Sequence, residues 1–373
     1  MAISVWQIAG GEAGRFYTNQ FVKHDIMCLG PGDIGNFDEK LEKYKSAIDV
    51  GLITSNKFNQ IKNFKDGPQS GDIILLRKGY EVTEVGVIPV DQENSKYAWH
   101  SVFDDVYGWD IQHTRRVIWQ SHLGSELRKI QENENHLFKD RRQIPAFTRV
   151  EDPNVNRPIE HLFEKVEFRK LRGLPNPIPD PLDLENIGSH LFERGLSNDS
   201  VDKVVSLIER QRRLVNWYDC QVDKTRPTEH EVVAYLVLPL LLSLGWSEQL
   251  LAVEWKKIDL AAFISTPTIE KNCVLVCEAK VKGHGLRDAL EQAKDYVTNR
   301  KLNHAKKIIL TDGVRIYIHQ RDSNGEWRDK PCGYINLMKI RTKHLVPENT
   351  NAIDSLIALT PANISRPISR TLE

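Results

Sequence analysis

The sequence predicts two folding units of different class: a β-rich α+β domain first, then an α/β domain with a mixed sheet flanked by helices. Three observations predict it. The chain has 373 residues, roughly two to three times a typical domain length. Seven of the 17 prolines (Pro145, Pro153, Pro158, Pro175, Pro177, Pro179 and Pro181) crowd into GLPNPIPDPLD and the residues before it, a linker signature. Apolar residues form short strand-like runs before that stretch and long helical periods alternating with strands after it.

In order, HDIMCLG, GDIILLRKG, TEVGVIPV and RRVIW read as strands, with a helical patch at FDEKLEKYKSAIDVG. DSVDKVVSLIERQRRLVNWYD places Val201, Val204, Val205, Ile208, Leu214 and Val215 at helical spacing behind an Asp199/Ser200 cap. Thr228 caps a second helix, EHEVVAYLVLPLLLSLGW, restarted at Pro239 and stopped at Gly245. LAVEWKKIDLAAFI and CVLVCEAK then read as strands, LRDALEQAKDYVTNRK as an amphipathic helix, and KKIILTDGVRIYIHQ as a hairpin across Asp312-Gly313. The expected organisation is a first domain over 1–145, a proline-rich linker with connecting helices over 146–225, a second domain over 226–345 and a C-terminal tail over 346–373.

Composition excludes several classes. Hydrophobic residues at 40% and charged residues at 27% are globular values. The longest apolar run, 11 residues at 232–242, is far short of the roughly 20 needed to span a bilayer. With no signal pattern in MAISVWQIAGGEAGRF, the expected compartment is the cytoplasm. Cys28, Cys220, Cys273, Cys277 and Cys332 form neither an even disulfide framework nor a zinc knuckle. A net charge of zero announces no nucleic-acid binder, although a local basic groove would suffice for one.

Asp259 is followed 19 residues later by Glu278-Ala279-Lys280 at the end of an apolar strand. Strand side chains alternate, so Glu278 and Lys280 share a face. Charges beside a buried strand are costly unless paired or bound to a metal. Gln292 and Tyr296, four apart, share one face of the following helix, and Glu229 or Glu231 opens the preceding one.

On these residues the segment 226–320 resembles the PD-(D/E)XK nuclease superfamily: Asp259 stands at its aspartate, Glu278-x-Lys280 at its E-x-K and Glu229 at the acidic position of its first helix. With Pro239, Gly245-Trp246 and Gln292-x-x-x-Tyr296 it is similar to the nuclease domain of type I restriction subunits. The family's proline is absent, Ile258 preceding Asp259. The resemblance implies Mg²⁺ (with Mn²⁺ substituting) on Asp259, Glu278 and the Ala279 carbonyl, with Lys280 orienting or deprotonating the water as its pKa falls on burial. It also implies that Gln292 and Tyr296 position this layer or the DNA backbone.

In the first half, GPGDIG matches Gly30-x-Gly32-x-x-Gly35. No second βαβ unit follows, so a tight loop is the better reading than a dinucleotide site. No P-loop motif is present, and no nucleotide cofactor is expected. VWQIAGG, LGPGDIGNFD, GDIILLRKG and YAWHSVFDDVYGWDIQHTRRVIW together resemble a PUA-like domain of the EVE/YTH kind over about 1–120, a bent β-barrel whose aromatic pocket accepts a flipped, often modified, base. A flipped base needs apolar faces and polar edge partners. Trp6, Trp99 and Trp109 are the candidate walls, Asp33 or Asp110 the acceptors, and Lys78, Arg115 and Arg116 the phosphate contacts.

Together the two halves resemble a modification-dependent, type IV-like restriction endonuclease. That layout implies phage defence, a duplex DNA partner bearing a modified base, and a homodimer for double-strand breaks. The alternatives are a non-catalytic nucleic-acid reader, or the same nuclease acting on RNA or unmodified DNA.

Overall fold

A computed structural model describes residues 3–12, 15–134, 137–138, 144–220, 227–283, 285–286 and 289–368. The expected boundary at 225/226 and the first turn of the helix over Arg287 and Asp288 lie outside them. Contacts divide the chain into two units, Met1–Pro177 and Ile178–Glu373, so the division falls inside GLPNPIPDPLD.

The first unit contains β1 (Val5–Ala9), β2 (Gly11–Glu12), β3 (Arg15–Phe16), α1 (Thr18–His24), β4 (Ile26–Leu29), α2 (Leu41–Asp49), α3 (Ser55–Asp66), β5 (Ile73–Lys78), β6 (Glu81–Val87), β7 (Tyr97–Trp99), β8 (His113–Arg116), β9 (Ile118–Trp119), α4 (Gly124–Asn133), β10 (Phe147–Arg149), α5 (Pro153–Asn156) and α6 (Glu160–Phe163). A five-stranded sheet runs β10-β1-β5-β6-β9, with only the β1–β5 pair parallel. A separate antiparallel sheet runs β4-β8-β7, and β2–β3 form a short ribbon. The unit is therefore α+β, but no sheet closes into a barrel among the described residues.

The segment read as linker does not stand apart from the domains. β10 pairs with β1, and Val150, Val155, Ile159 and Leu162 bury in one core with Val5, Ile73, Leu75 and Leu127. Apolar residues at 150, 155, 159 and 162 recur near the helical period, which holds this stretch on the sheet despite its prolines. Among the described residues, 166–183 is the longest stretch here without regular structure.

The second unit contains α7 (Leu184–Glu193), α8 (Asn198–Cys220), α9 (Glu229–Glu231), a π-helical segment (Val232–Val237), α10 (Leu238–Ser243), β11 (Leu251–Trp255), β12 (Ile258–Phe263), β13 (Cys273–Ala279), α11 (Ala289–Asn299), β14 (Lys307–Thr311), β15 (Arg315–Gln320), β16 (Gly333–Asn336) and α12 (Ala352–Ala358). The sheet order follows the chain, β11 to β16, and only the β13–β14 pair is parallel. α7, α8, α10 and α12 pack Ile187, Val204, Ile208, Leu240 and Leu356 against Leu260, Leu275, Cys277 and Ile318 of the sheet. No described helix is long and apolar enough to cross a membrane.

Two expectations change here. The described part of the stretch read as a tail, 346–368, belongs to the domain: Ile353, Leu356, Leu359 and Ile364 enter the main core, and the buried Lys307 ammonium donates to the Ile364 and Arg366 carbonyls. A seven-residue helix is too short to show a period. LAVEWKKIDLAAFI is a hairpin rather than one strand, turning at Lys256 (φ 52°) and Lys257 (φ 68°). Both sit in the left-handed region with no glycine to announce the turn.

Candidate active site

The hairpin decides where the first carboxylate stands. Asp259 is the second residue of β12 and does not end a strand, and Leu260 pairs with Cys277 in the neighbouring β13. This register brings Asp259 Oδ2 to the Ala279 amide, which donates to it at 2.7 Å. Glu278 and Lys280 share a face as alternation requires, and Lys280 Nζ donates to Glu278 Oε1 at 2.6 Å. Gln292 Oε1 accepts from the same ammonium at 3.3 Å, and its amide nitrogen donates to the Tyr296 hydroxyl at 2.9 Å. One chain of contacts thus runs from Glu278 through Lys280 and Gln292 to Tyr296, beside Asp259.

Local folding separates the two acids at the head of α9. Thr228 and Glu231 form a capping box, Glu231 Oε2 accepting from the Thr228 amide at 2.8 Å and hydroxyl at 3.0 Å. Glu231 is held there, whereas the Glu229 charge acts on Asp259, Glu278 and Lys280. The following turns widen into the π-helical segment, after which Pro239, the second residue of α10, supplies no N–H. Gln211 of α8, fully buried, donates its amide to the Leu236 carbonyl at 2.5 Å.

The electrostatics are crowded. Burial raises the Asp259 pKa, opposed by the Ala279 amide and the Lys280 charge. Burial also pushes Glu278 up to about 7; Lys280 opposes this, while Asp259 and Glu229 add to it as like charges. Burial works against the Lys280 charge, but the Glu278 hydrogen bond and the three carboxylates outweigh it and hold the ammonium above the ordinary lysine range. The expected fall of the lysine pKa on burial is therefore reversed here, because the carboxylates surround it.

Glu278 is 2% exposed, and its Oε2 has no hydrogen-bond partner. A buried carboxylate oxygen left unpaired is costly unless something else pairs with it. The donor set fits a hard cation of the Mg²⁺ type: two carboxylates and a strand-end backbone, the remaining positions falling to water and substrate. No three His, Cys, Asp or Glu side chains converge on one ion among the described residues, so an all-protein cage for zinc or calcium is absent there. Cys273 and Cys277 are buried thiols, their pKa values raised by desolvation.

Two residues at the rim escaped the sequence reading. Glu254, at φ 53°, lies 3.1 Å from His230 Nδ1 through Oε1 and adds its charge to the field on Asp259. No spacing rule announces it, since only the glycine-free turn brings Glu254 back beside Asp259. Asp312 is fully buried; its Oδ2 accepts from Gly283 at 3.0 Å, tying the segment after Lys280 to the β14–β15 turn. The Asp312-Gly313 pair was the available signal.

In the first unit, the Gly30–Gly35 loop is a close backbone approach, as expected. A Cβ at Gly30 would meet the Asp110 carbonyl oxygen at 2.4 Å, and one at Gly32 the Gln112 amide at 2.8 Å. β4 is followed by an antiparallel partner, β8, which removes the dinucleotide reading. Trp99 Nε1 donates to the Gly32 carbonyl at 2.9 Å, and the Gly32 amide to the Asp110 carbonyl at 3.0 Å. The loop therefore carries exposed Asp33 and touches partly exposed Trp99 and Asp110, with partly exposed Trp109 next in the chain.

Trp6 is elsewhere, in the core. Its ring stacks on Phe147 (5.3 Å, 5°), and its Nε1 donates to Asp72 at 2.9 Å. Arg115 is also structural, donating to the Phe64, Lys65 and Ser95 carbonyls. Two of these are the last carbonyls of α3, which have no helical partner of their own. Arg116 is half-buried and donates to the Asp25 and Arg172 carbonyls.

No protein-family model, no curated protein and no solved structure matches the chain.

Proposed function

We propose that the second unit is a Mg²⁺-dependent nuclease centre of the PD-(D/E)XK kind, and that the protein cuts DNA bearing a modified base read by the first unit. The observation that carries this reading is the buried, unpartnered Glu278 Oε2 standing with Asp259 and Lys280 on adjacent strands.

Asp259, Glu278 and the Ala279 carbonyl would hold the cation, which when bound neutralises charge growing on the phosphate and lowers the pKa of the attacking water. Lys280, held by Glu278 Oε1, would turn its remaining N–H donors to the water and the scissile phosphate, while Glu278 Oε2 would face the cation. Gln292 keeps the ammonium in place, and Tyr296 holds Gln292. Glu229 adds negative charge that favours a cation and keeps Lys280 protonated.

In the first unit the Gly30–Gly35 loop, with Trp99, Trp109 and Asp33 around it, is the best place for a flipped base. One such centre cuts one strand, so a double-strand break calls for two copies of the chain. The test is cleavage of matched DNAs, unmodified or carrying methylated, hydroxymethylated or glucosylated bases, with Mg²⁺ or Mn²⁺. Cutting confined to one modified substrate and weakened by Trp99→Ala supports the reading. Equal cutting of every substrate removes modified-base recognition, and binding without cutting of any DNA or RNA removes the nuclease.

A further inference from the structure

A cleft of about 430 Å³ opens in the first unit between the 89–94 loop, β9 and the extended strap 168–172. Four cations line it, Arg116, Arg169, Lys170 and Arg172, against the single carboxylate of Asp91. This is a local concentration, because residues 1–177 carry 24 basic and 25 acidic side chains in all. Phe168 lines the same cleft and is 55% exposed, far from the usual place of a phenylalanine.

The three arginines are held in place. Asp25 is fully buried and accepts both Arg169 Nη atoms at 2.6 Å and the Arg172 amide at 2.8 Å. Arg116 donates through Nε to the Asp25 carbonyl at 3.2 Å, and Arg172 through Nη1 to the Val22 carbonyl at 2.7 Å. Each of these two guanidiniums has five N–H donors and gives only part of them to these bonds. Their orientation is fixed while charge and donors still face the cleft, so little side-chain entropy is lost on binding. Asp25 neutralises Arg169, which leaves Arg116, Lys170 and Arg172 to set the sign.

We infer that this cleft binds a single-stranded nucleic-acid segment, its phosphates on Arg116, Lys170 and Arg172 and one unpaired base on Phe168. The inference rests on the nucleic-acid reading of the chain and adds to it a site on a different loop from Trp99. Fixed cations beside an exposed aromatic ring are what strand binding without sequence readout requires. An acidic peptide would use the cations and leave Phe168 in water.

The test uses the full chain without divalent metal, and fluorescence anisotropy with a labelled oligothymidine and the corresponding duplex over a salt series. Phe168→Ala and Lys170→Glu alter exposed side chains, and unchanged thermal melts certify their folding. The expected result is tighter binding to the single strand, weakened about tenfold by Phe168→Ala, since base–aromatic stacking contributes about 1–3 kcal/mol. Lys170→Glu is expected to lower the salt slope by about one phosphate contact. Variants that bind like the wild-type protein overturn the cleft, as does equal displacement by polyglutamate. A chain that cleaves DNA while both variants bind normally loses the cleft alone; a chain that binds through the cleft and never cleaves loses the nuclease alone.

Discussion

Arg115 in the first unit and Glu278 in the second are both charged and nearly inaccessible, yet their surroundings differ in completeness. The Arg115 guanidinium gives all three nitrogens to backbone carbonyls, two of them the unpaired end of α3. Glu278 keeps one oxygen without a partner, and burial, with like charges adding to it, raises its pKa to about 7. A buried charge with each nitrogen bonded is holding the fold together. One left incomplete beside a second carboxylate and a lysine is where a ligand stabilises most, and the difference supports the proposed centre in the second unit and gives Arg115 an architectural role.

The largest effect expected from this contrast is on activity. Lys280→Ala is expected to reduce cleavage by about 10²–10³-fold, the range for removing one preorganised electrostatic group, in protein that still melts cooperatively. Next comes stability: Arg115→Met is expected to cost about 3 kcal/mol in a urea titration, because it leaves buried carbonyls without donors. A stable Arg115→Met that loses DNA binding would instead return this residue to the phosphate contacts.

The contrast extends to pH. His113 is buried as the neutral form, its Nε2 and Nδ1 bonded to the Pro31 carbonyl and the Tyr97 hydroxyl, and desolvation pulls its pKa down to about 4. His319 in the second unit is likewise pulled down to about 4 by burial. Between the ordinary value near 6.5 and 4 the unfolded chain binds protons that these folded groups refuse, so stability falls as pH falls. Each contributes roughly 3 kcal/mol across that window. Glu278, with a raised pKa, has the opposite sign and is expected to lose stability as pH rises from about 4.5 to 7 in metal-free protein. Urea midpoints of wild-type protein and Glu278→Gln between pH 4 and 8 check both signs. The smallest effect is expected for Gln292→Ala, about tenfold or less in rate, since it only holds the lysine.

The candidate constellation was legible because it obeys local periods. Alternation on β13 put Glu278 and Lys280 together, and the four-residue helical spacing joined Gln292 to Tyr296. Glu229 could have been separated from Glu231 by the Thr228-x-x-Glu231 capping box, a signal present in the chain. Tertiary context hid the rest. Arg115 looked like surface because nothing local says that a helix end lies above it, and Trp6 looked like a wall because its partners, Asp72 and Phe147, are distant in sequence. The barrel expectation failed for a similar reason: strand runs reveal strands, whereas closure depends on pairings such as β10 on β1 that cross the whole unit.

The most direct measurement is Mg²⁺-dependent cleavage of DNA by the full chain beside Asp259→Ala, with folding of both confirmed by their melts. Cleavage that requires the metal and disappears in Asp259→Ala is the predicted result. Cleavage that persists in the mutant, or proceeds equally with the metal chelated, would contradict a centre built on Asp259, Glu278 and Lys280.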